Sequence, residues 1–374
     1  MAYFSTTEPK VRKELGKEIT KAAFEDSKWA QFIGTGENAI IKSQRENGVN
    51  GGSVTMRMRG LLRGSGVKDG EKFATAMDEI KYLSQVVQIE NIGNSVESPQ
   101  KIKIMKQAQF LNFREEAMDA LKEWGTDRFD RKIFGRLSAD LTNVVYSDIN
   151  GAYSGVTDGT AMTAADVLSV KDIEEAAKRA RNGLDANGNA VPKLRPFRTV
   201  VESNEGVKIK REIYVMMIGG ESAQNLKNDP EWTSKQEAAA SGGLNKLLFT
   251  GQLGVIDDVV LINAGTQTTE YAGILTSADT TLDGVALSGY AGGASGEFKT
   301  EINLLLGATA GLLPMDDGWE YYDEEIDMGR RAQFGIDRDF GFAKARFVGT
   351  TSAEQSSIYH NKDYGVIGVV SVVA

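Results

Sequence analysis

The chain has 374 residues, 41% of them hydrophobic and 25% charged, which fits a soluble globular protein with two or three cores and argues against a disordered one. Its 43 basic and 52 acidic side chains leave a formal net charge of −9, so it carries no footprint for reading nucleic acid by neutralising phosphates. Cysteine is absent and only one histidine is present, which removes disulfides, the usual zinc sites and most nucleophilic triads together.

Residues 1–26 show no apolar run with a small-residue cleavage site, and no stretch reaches the ~18 apolar residues of a membrane span. No membrane partner is expected. Val11, Leu15, Ile19 and Ala23 recur every four residues. That spacing predicts a short amphipathic helix, either in an N-terminal arm or packed on its own domain. Residues 33–52 read as a polar, Gly/Asn-rich connection with Asn47-Gly48 and Gly51-Gly52 as turn signals.

Two strand-like runs follow, residues 53–59 and 83–89, separated by twenty-three residues with four glycines. Hairpins ordinarily close in two to five residues. In the first run Thr55, Arg57 and Arg59 face one way and Val54, Met56 and Met58 the other, so one face is cationic. A two-stranded ribbon with so long an insert is marginal alone in water. It is expected to be held from outside its own fold, most simply by another copy of the chain.

Ser98-Pro99 starts the longest helical pattern, with Ile104, Ala108, Leu111, Met118, Gly125, Phe129 and Ile133 on one stripe that also carries Glu115 and Lys122. One long helix is expected, with a possible break near Gly125, where another backbone approaching is the other reading. A Gly/Ser/Thr-rich passage over residues 147–163 reads as a domain crossing. Ser169 and Asp172 fit a capping pair for a helix that Asn182-Gly183 ends. Strands over residues 198–202 and 208–218 come next, and Asp229-Pro230 opens a further helix. Residues 259–262 and 302–306 are strongly apolar, and residues 365–373 read as a central strand buried on both sides.

Chemistry-bearing patterns are few. His360 reads as a surface-loop residue, since no partner motif accompanies it. Asp185, Asn187 and Asn189 imitate the start of a calcium loop, but Ala190 and Pro196 stand where Gly and Glu are required, so a turn is expected. Gly64, Gly66 and Gly70 miss the dinucleotide fingerprint by one residue. Residues 316–327 hold seven carboxylates; Asp316, Asp317, Asp323 and Glu324 are candidate ligands for a divalent ion, against the plainer reading of a solvated acidic loop. Asp337 and Asp339 flank Arg338 in a turn-like stretch and receive no acid/base role. No cofactor is expected, and the enzyme reading is weak.

Leu226-Lys227-Asn228-Asp229-Pro230-Glu231-Trp232, with Leu248-Phe249-Thr250-Gly251-Gln252-Leu253-Gly254-Val255-Ile256-Asp257-Asp258-Val259-Val260, resembles a signature of tailed-bacteriophage major capsid proteins of the podovirus N-four-like family. Leu304-Leu305-Leu306-Gly307-Ala308, Asp327-Met328-Gly329, Gly341-Phe342-Ala343 and Tyr364-Gly365-Val366-Ile367 are similar to its C-terminal third, in order. The similarity runs from residue 52 to the C-terminus and departs from the pattern at residues 320–340, which are more acidic. It implies an α+β Hong Kong 97-type fold: an N-terminal arm (residues 1–50), an extended loop (51–95), a peripheral domain with a long spine helix (96–150 and 297–374) and an axial domain (151–296).

The resemblance implies a shell subunit without catalysis, forming pentamers and hexamers around double-stranded DNA that it does not read. The expected location is the virion capsid, assembled in the host bacterial cytoplasm. Its expected partners are itself, with portal, scaffold and cement or decoration proteins. An encapsulin-like compartment shell is the alternative within the fold, and a divalent-metal enzyme the alternative outside it. Candidate subunit contacts are Arg57, Arg59, Arg63, Lys68, Asp69 and Lys72 in the loop, and Glu115 and Lys122 on the helix. No carboxylate signature accompanies Lys68 or Lys72 to support a crosslink to an asparagine.

Overall fold

The computed structural model describes residues 27–45, 52–59, 69, 82–98, 107–204, 207–234, 252–265, 281–282, 285–286, 290, 292–293, 298–315, 318–326, 328 and 331–373. The expected N-terminal helix and the Gly64 to Gly70 segment lie outside them. In chain order the main strands are β1 (Ile41–Arg45), β2 (Ser53–Arg59), β3 (Tyr82–Gln88), β4 (Glu90–Glu97), β5 (Val144–Tyr146), β6 (Arg198–Asn204) and β7 (Val207–Gly219). They continue as β8 (Gln252–Ile256), β9 (Val259–Gly265), β10 (Thr300–Leu306), β11 (Gly311–Met315), β12 (Glu320–Ile326), β13 (Arg331–Phe340) and β14 (Val366–Val372). The principal helices are α1 (Gln107–Ser138), α2 (Val170–Asn182) and α3 (Gly220–Asn228).

The first sheet runs β5-β14-β10-β7-β9-β8, with β6 also on β7. Apolar sequence at β14 and β10 matches their place in the middle: every residue of both strands is buried. Val145, Ile367 and Val369 pack under α2 and α3, while Val366, Val370 and Leu304 face the cluster made with Phe129, Ile133 and Leu137 of α1. β14 and β10, expected in the peripheral part, thus share a sheet with β7 and β9, expected in the axial part.

Local signals set the helices. Ser169 donates from its backbone N–H and its hydroxyl to Asp172 Oδ2, at 2.8 and 2.9 Å, and Gly183 ends α2 in the left-handed region. The 32 residues of α1 are unbroken at Gly125. Trp319 lies against this glycine, where a Cβ would stand 3.1 Å from the indole. The possible break is therefore corrected: the glycine makes room for a side chain, and the helix continues through it.

The second sheet joins β1 in parallel to β11, β11 to β13 through one pair, and β13 to β12 and β4 on its two sides. Two expectations change here. Residues 41–45 are a strand, because Ile40 and Ile41 are fully buried beside Trp29 and Phe32. Residues 320–326 and 331–340 are strands and not an acidic loop and a turn: alternate residues Tyr321, Phe334 and Ile336 pack against Ala117 and Leu121 of α1, which sends Glu320, Glu324, Asp337 and Asp339 outward. β12 is an edge strand, and its charges blunt that edge.

Candidate assembly surface

The ribbon β2–β3 pairs Thr55 with Val86, Arg57 with Ser84 and Arg59 with Tyr82. Val54, Met56 and Met58 are buried, and Ser53, Thr55 and Arg57 are exposed, as the alternation requires. Val86 stands on the outward face, 61% exposed. Asp69 is exposed; Arg63, Lys68 and Lys72 lie outside the described residues, as does the placement of the Arg59 side chain.

The inward face of the ribbon corrects the expectation that it is held from outside. Val54, Met56, Met58, Leu83 and Val87 pack on Leu312, Phe347, Tyr359 and Tyr364 of the same chain. Burying five such side chains is worth several kcal/mol at 1.5–3 kcal/mol each. Gln85 adds polar register: its Nε2 donates to the Lys344 carbonyl at 3.0 Å, and its Oε1 accepts from the Arg346 N–H at 2.8 Å. Lys42 Nζ donates to the Arg57 carbonyl at 3.0 Å. The covering residues come from the far end of the chain, where no local pattern announces them.

The helix candidates separate. Glu115 is exposed, whereas Lys122 is partly buried and pairs with Asp119 one turn earlier at 3.6 Å. The metal candidates do not converge. Asp323 and Glu324 are successive on β12 and point to opposite faces, Asp316 and Asp317 lie outside the described residues, and no group of three or more acidic, His or Cys ligands forms among the described residues. His360 Nδ1 accepts the Gly349 N–H at 3.0 Å, a loop-bracing bond. The Asp185 carboxylate accepts the N–H groups of Asn187 and Asn189 at 2.9 and 2.8 Å, which is the expected turn.

Sequence reasoning missed two buried polar anchors that hold α1 in place. At its C-terminal end Lys344 Nζ donates to the carbonyls of Ala139 and Asp140 at 2.5 and 2.9 Å, and pairs with buried Asp363 at 2.9 Å. A cation there answers the unsatisfied carbonyls of the helix terminus. Arg346 joins Asp363 to Asp140, at 2.9 and 2.6 Å. Farther along the helix, Asp130 accepts from the Ser27 hydroxyl at 2.6 Å and the Lys28 N–H at 3.4 Å. Burial pushes its carboxyl up to about 6, against those bonds and the Lys28 charge. Single charged residues scattered over hundreds of positions give no motif, so only the fold reveals them.

One cavity of about 370 Å³ opens beside the first anchor, lined by Asp140, Thr142, Asn143, Asp185, Asn187 and Tyr290 among others. Tyr290 Oη accepts the Leu141 N–H at 2.5 Å, and the Asn143 amide donates to the Leu184 carbonyl at 3.1 Å. Both bonds brace the chain as it leaves α1.

This architecture has close counterparts. The chain is similar to the capsid in the acidic stable capsid structure of Helicobacter pylori bacteriophage KHP30, with a TM-score of 0.70 and 26% identity over 93% of this chain and 92% of that one. It shares its fold with the capsid of Ralstonia phage GP4, at a TM-score of 0.67 and 19% identity over 100% and 98% of the two chains. In sequence it is 28% identical to the major structural protein ORF14 of bacteriophage KHP30, over 96% of this chain and 94% of the relative. These likenesses match the α+β, Hong Kong 97-type architecture that the sequence motifs imply. The model of one family, described as phage capsid protein, matches residues 10–374, and the chain belongs to that family.

Proposed function

We propose that this chain is the major capsid subunit of a tailed double-stranded DNA bacteriophage, building pentamers and hexamers of an icosahedral shell that encloses the genome. The observation that carries the reading is the match of residues 10–374 to the phage capsid family. The ribbon supports it: one face is fixed to the chain's own body, and the other presents Arg57 and Val86 outward, so a rigid arm is offered to a neighbour. In this reading residues 1–50 are the N-terminal arm, 51–95 the extended loop, 96–150 with 297–374 the peripheral domain around α1, and 151–296 the axial domain. Genome, portal, scaffold and cement proteins are the further partners, with assembly in the host bacterial cytoplasm and residence in the virion capsid. The work is done by summed contact area between copies, and a net charge of −9 suits a shell that confines DNA without adhering to it.

Particle mass tests this directly. Purified full-length chain, with scaffold supplied where needed, is expected to give closed megadalton particles in mass photometry and negative-stain images. Only 40.5 kDa molecules at high concentration would overturn the reading.

A further inference from the structure

The cavity beside the C-terminal end of α1 has a volume of about 370 Å³, within the range of about 300–1,000 Å³ that small-molecule sites occupy. Asn143, Tyr146 and Tyr290 are its buried floor, while Asp140 and Thr157 are exposed at its rim and Asp185 is half-buried beside them. No Lys, Arg or His is among the residues that line it, so an anion finds no counter-charge on its walls.

The floor holds an acceptor with nothing to accept. Asn143 is 5% exposed, and its Nδ2 donates to the Leu184 carbonyl at 3.1 Å, which fixes which end of the amide is which. Oδ1 is the end left over, buried and without a partner in the chain. A buried acceptor in that state carries a desolvation cost that a donor entering the cavity removes. The two phenols beside it are neutral. Burial, with Asp158 nearby, pushes the Tyr146 hydroxyl up to about 12, and burial pushes Tyr290 up as well, with Asp363 and Asp140 adding to it. Neutral tyrosine rings next to an acceptor suit a cation.

The rim carries the charge. Asp140 gives Oδ2 to Arg346 at 2.6 Å, which leaves Oδ1 for another donor. The Asp185 carboxyl lies below the usual range in spite of its partial burial, because Asn189 and Asn187 donate to it and Lys362 is near. The basic groups around the cavity already have partners: Arg346 spans Asp140 and Asp363, and Lys344 is held by Asp363 and two carbonyls. A bare metal ion suits the site less, since a calcium ion takes six to eight oxygens at about 2.3–2.6 Å and no group of three or more acidic, His or Cys ligands forms among the described residues.

We infer that this cavity is a binding site for a small aliphatic ammonium ion, which donates to Asn143 Oδ1 on the floor and, in a diamine, reaches the rim carboxylates Asp140 and Asp185 with its second charge. The occupant joins the chain leaving α1 to the turn at residues 185–187, so it braces the same place that Lys344 and Arg346 anchor from the other side. The site does not depend on the shell reading.

Titration of the full-length chain with diaminobutane, followed by calorimetry and by melting temperature, is the test. Saturable binding with a Kd on the order of 1 mM is expected, together with a rise in melting temperature. Butanediol has the same length without the charge and is expected to bind about tenfold more weakly, as is diaminobutane to Asp185→Asn. Thr157→Trp fills the mouth from the exposed rim; it is expected to abolish binding while the ligand-free chain melts as the wild type does. Equal affinity for butanediol, displacement of the amine by an equal concentration of magnesium chloride, or unchanged binding in both variants would overturn the site and leave the shell reading standing.

Discussion

Gly125 and Trp319 are fitted to each other: a Cβ on the glycine would stand 3.1 Å from indole Cζ2, and the ring is otherwise closed in by Trp124, edge to face at 6.1 Å between centroids. Gly125→Ala combines a gain of about 1 kcal/mol in helix propensity with crowding of similar size, so stability is expected to stay within about 1 kcal/mol of wild type. Gly125→Val adds a branched side chain under a ring that has nowhere to go. Its expected cost is about 2–3 kcal/mol, read from urea midpoints, with a shift in tryptophan emission. A valine variant of wild-type stability and emission would show that Trp319 is not confined.

Asp130 makes stability depend on pH. An unfolded aspartate titrates near 3.9, and the buried one at about 6. Between these values the folded chain binds more protons than the unfolded chain, so stability falls as pH rises from about 4 to 6. Ser27, Lys28 and Asp127 are the groups facing it. The loss between pH 4.5 and 7 is roughly 2 kcal/mol from this one residue. Asp130→Asn is expected to flatten that part of the profile in denaturant titrations at the two pH values. An unchanged slope would show that Asp130 is ionised throughout.

The parts legible in the sequence are those whose determinants are local. Ser169 and Asp172 lie three residues apart and cap the helix they announce. The apolar run at the C-terminus reads as a buried strand because burial on both faces leaves no alternation to find. The helix α3 is different. Gly219 precedes it, and its free N–H groups are met from a distance: Ser222 N–H donates to Glu301 at 2.6 Å and Gly219 N–H to Asn303 at 3.0 Å. A cap borrowed from about eighty residues away leaves no signature beside the helix. The ribbon shows the same limit, since its alternation gives the two faces, but the residues covering one of them are Phe347, Tyr359 and Tyr364. The carboxylates of β12 read as a loop because sequence gives charge density, while strand pairing decides the backbone.

The Lys344–Asp363 pair is expected to be costly to break from one side. Both side chains are buried, and Arg346 and the Thr142 N–H, at 2.8 Å, share the carboxylate. Asp363→Ala leaves Lys344 buried, bonded to the Ala139 and Asp140 carbonyls, with the Arg346 charge nearby and the Asp140 carboxylate as its remaining negative charge. Losing one partner of a buried pair costs about 3–5 kcal/mol. Lys344→Met keeps the length, leaves Asp363 to Arg346, and is expected to cost less than half as much. Melting temperatures of the two variants check the order; a milder effect from Asp363→Ala would place the net stabilisation on the lysine side.

Asp229 caps two helical segments with one carboxylate. Oδ1 accepts the Glu231 N–H at 2.9 Å, at the start of the helical turn opened by Pro230, and Oδ2 accepts the Val170 N–H at 2.9 Å, in the first turn of α2. A cap is worth about 1 kcal/mol, so Asp229→Ala is expected to cost about 2 kcal/mol, more than a single cap explains. Asparagine offers one acceptor and places an NH₂ against the other N–H, so Asp229→Asn is expected to recover half of the loss or less. Hydrogen exchange distinguishes a double cap from a single one. Asp229→Ala should speed exchange of both the Glu231 and the Val170 amides, whereas acceleration at Glu231 alone would confine the residue to its own turn and leave α2 to Ser169 and Asp172.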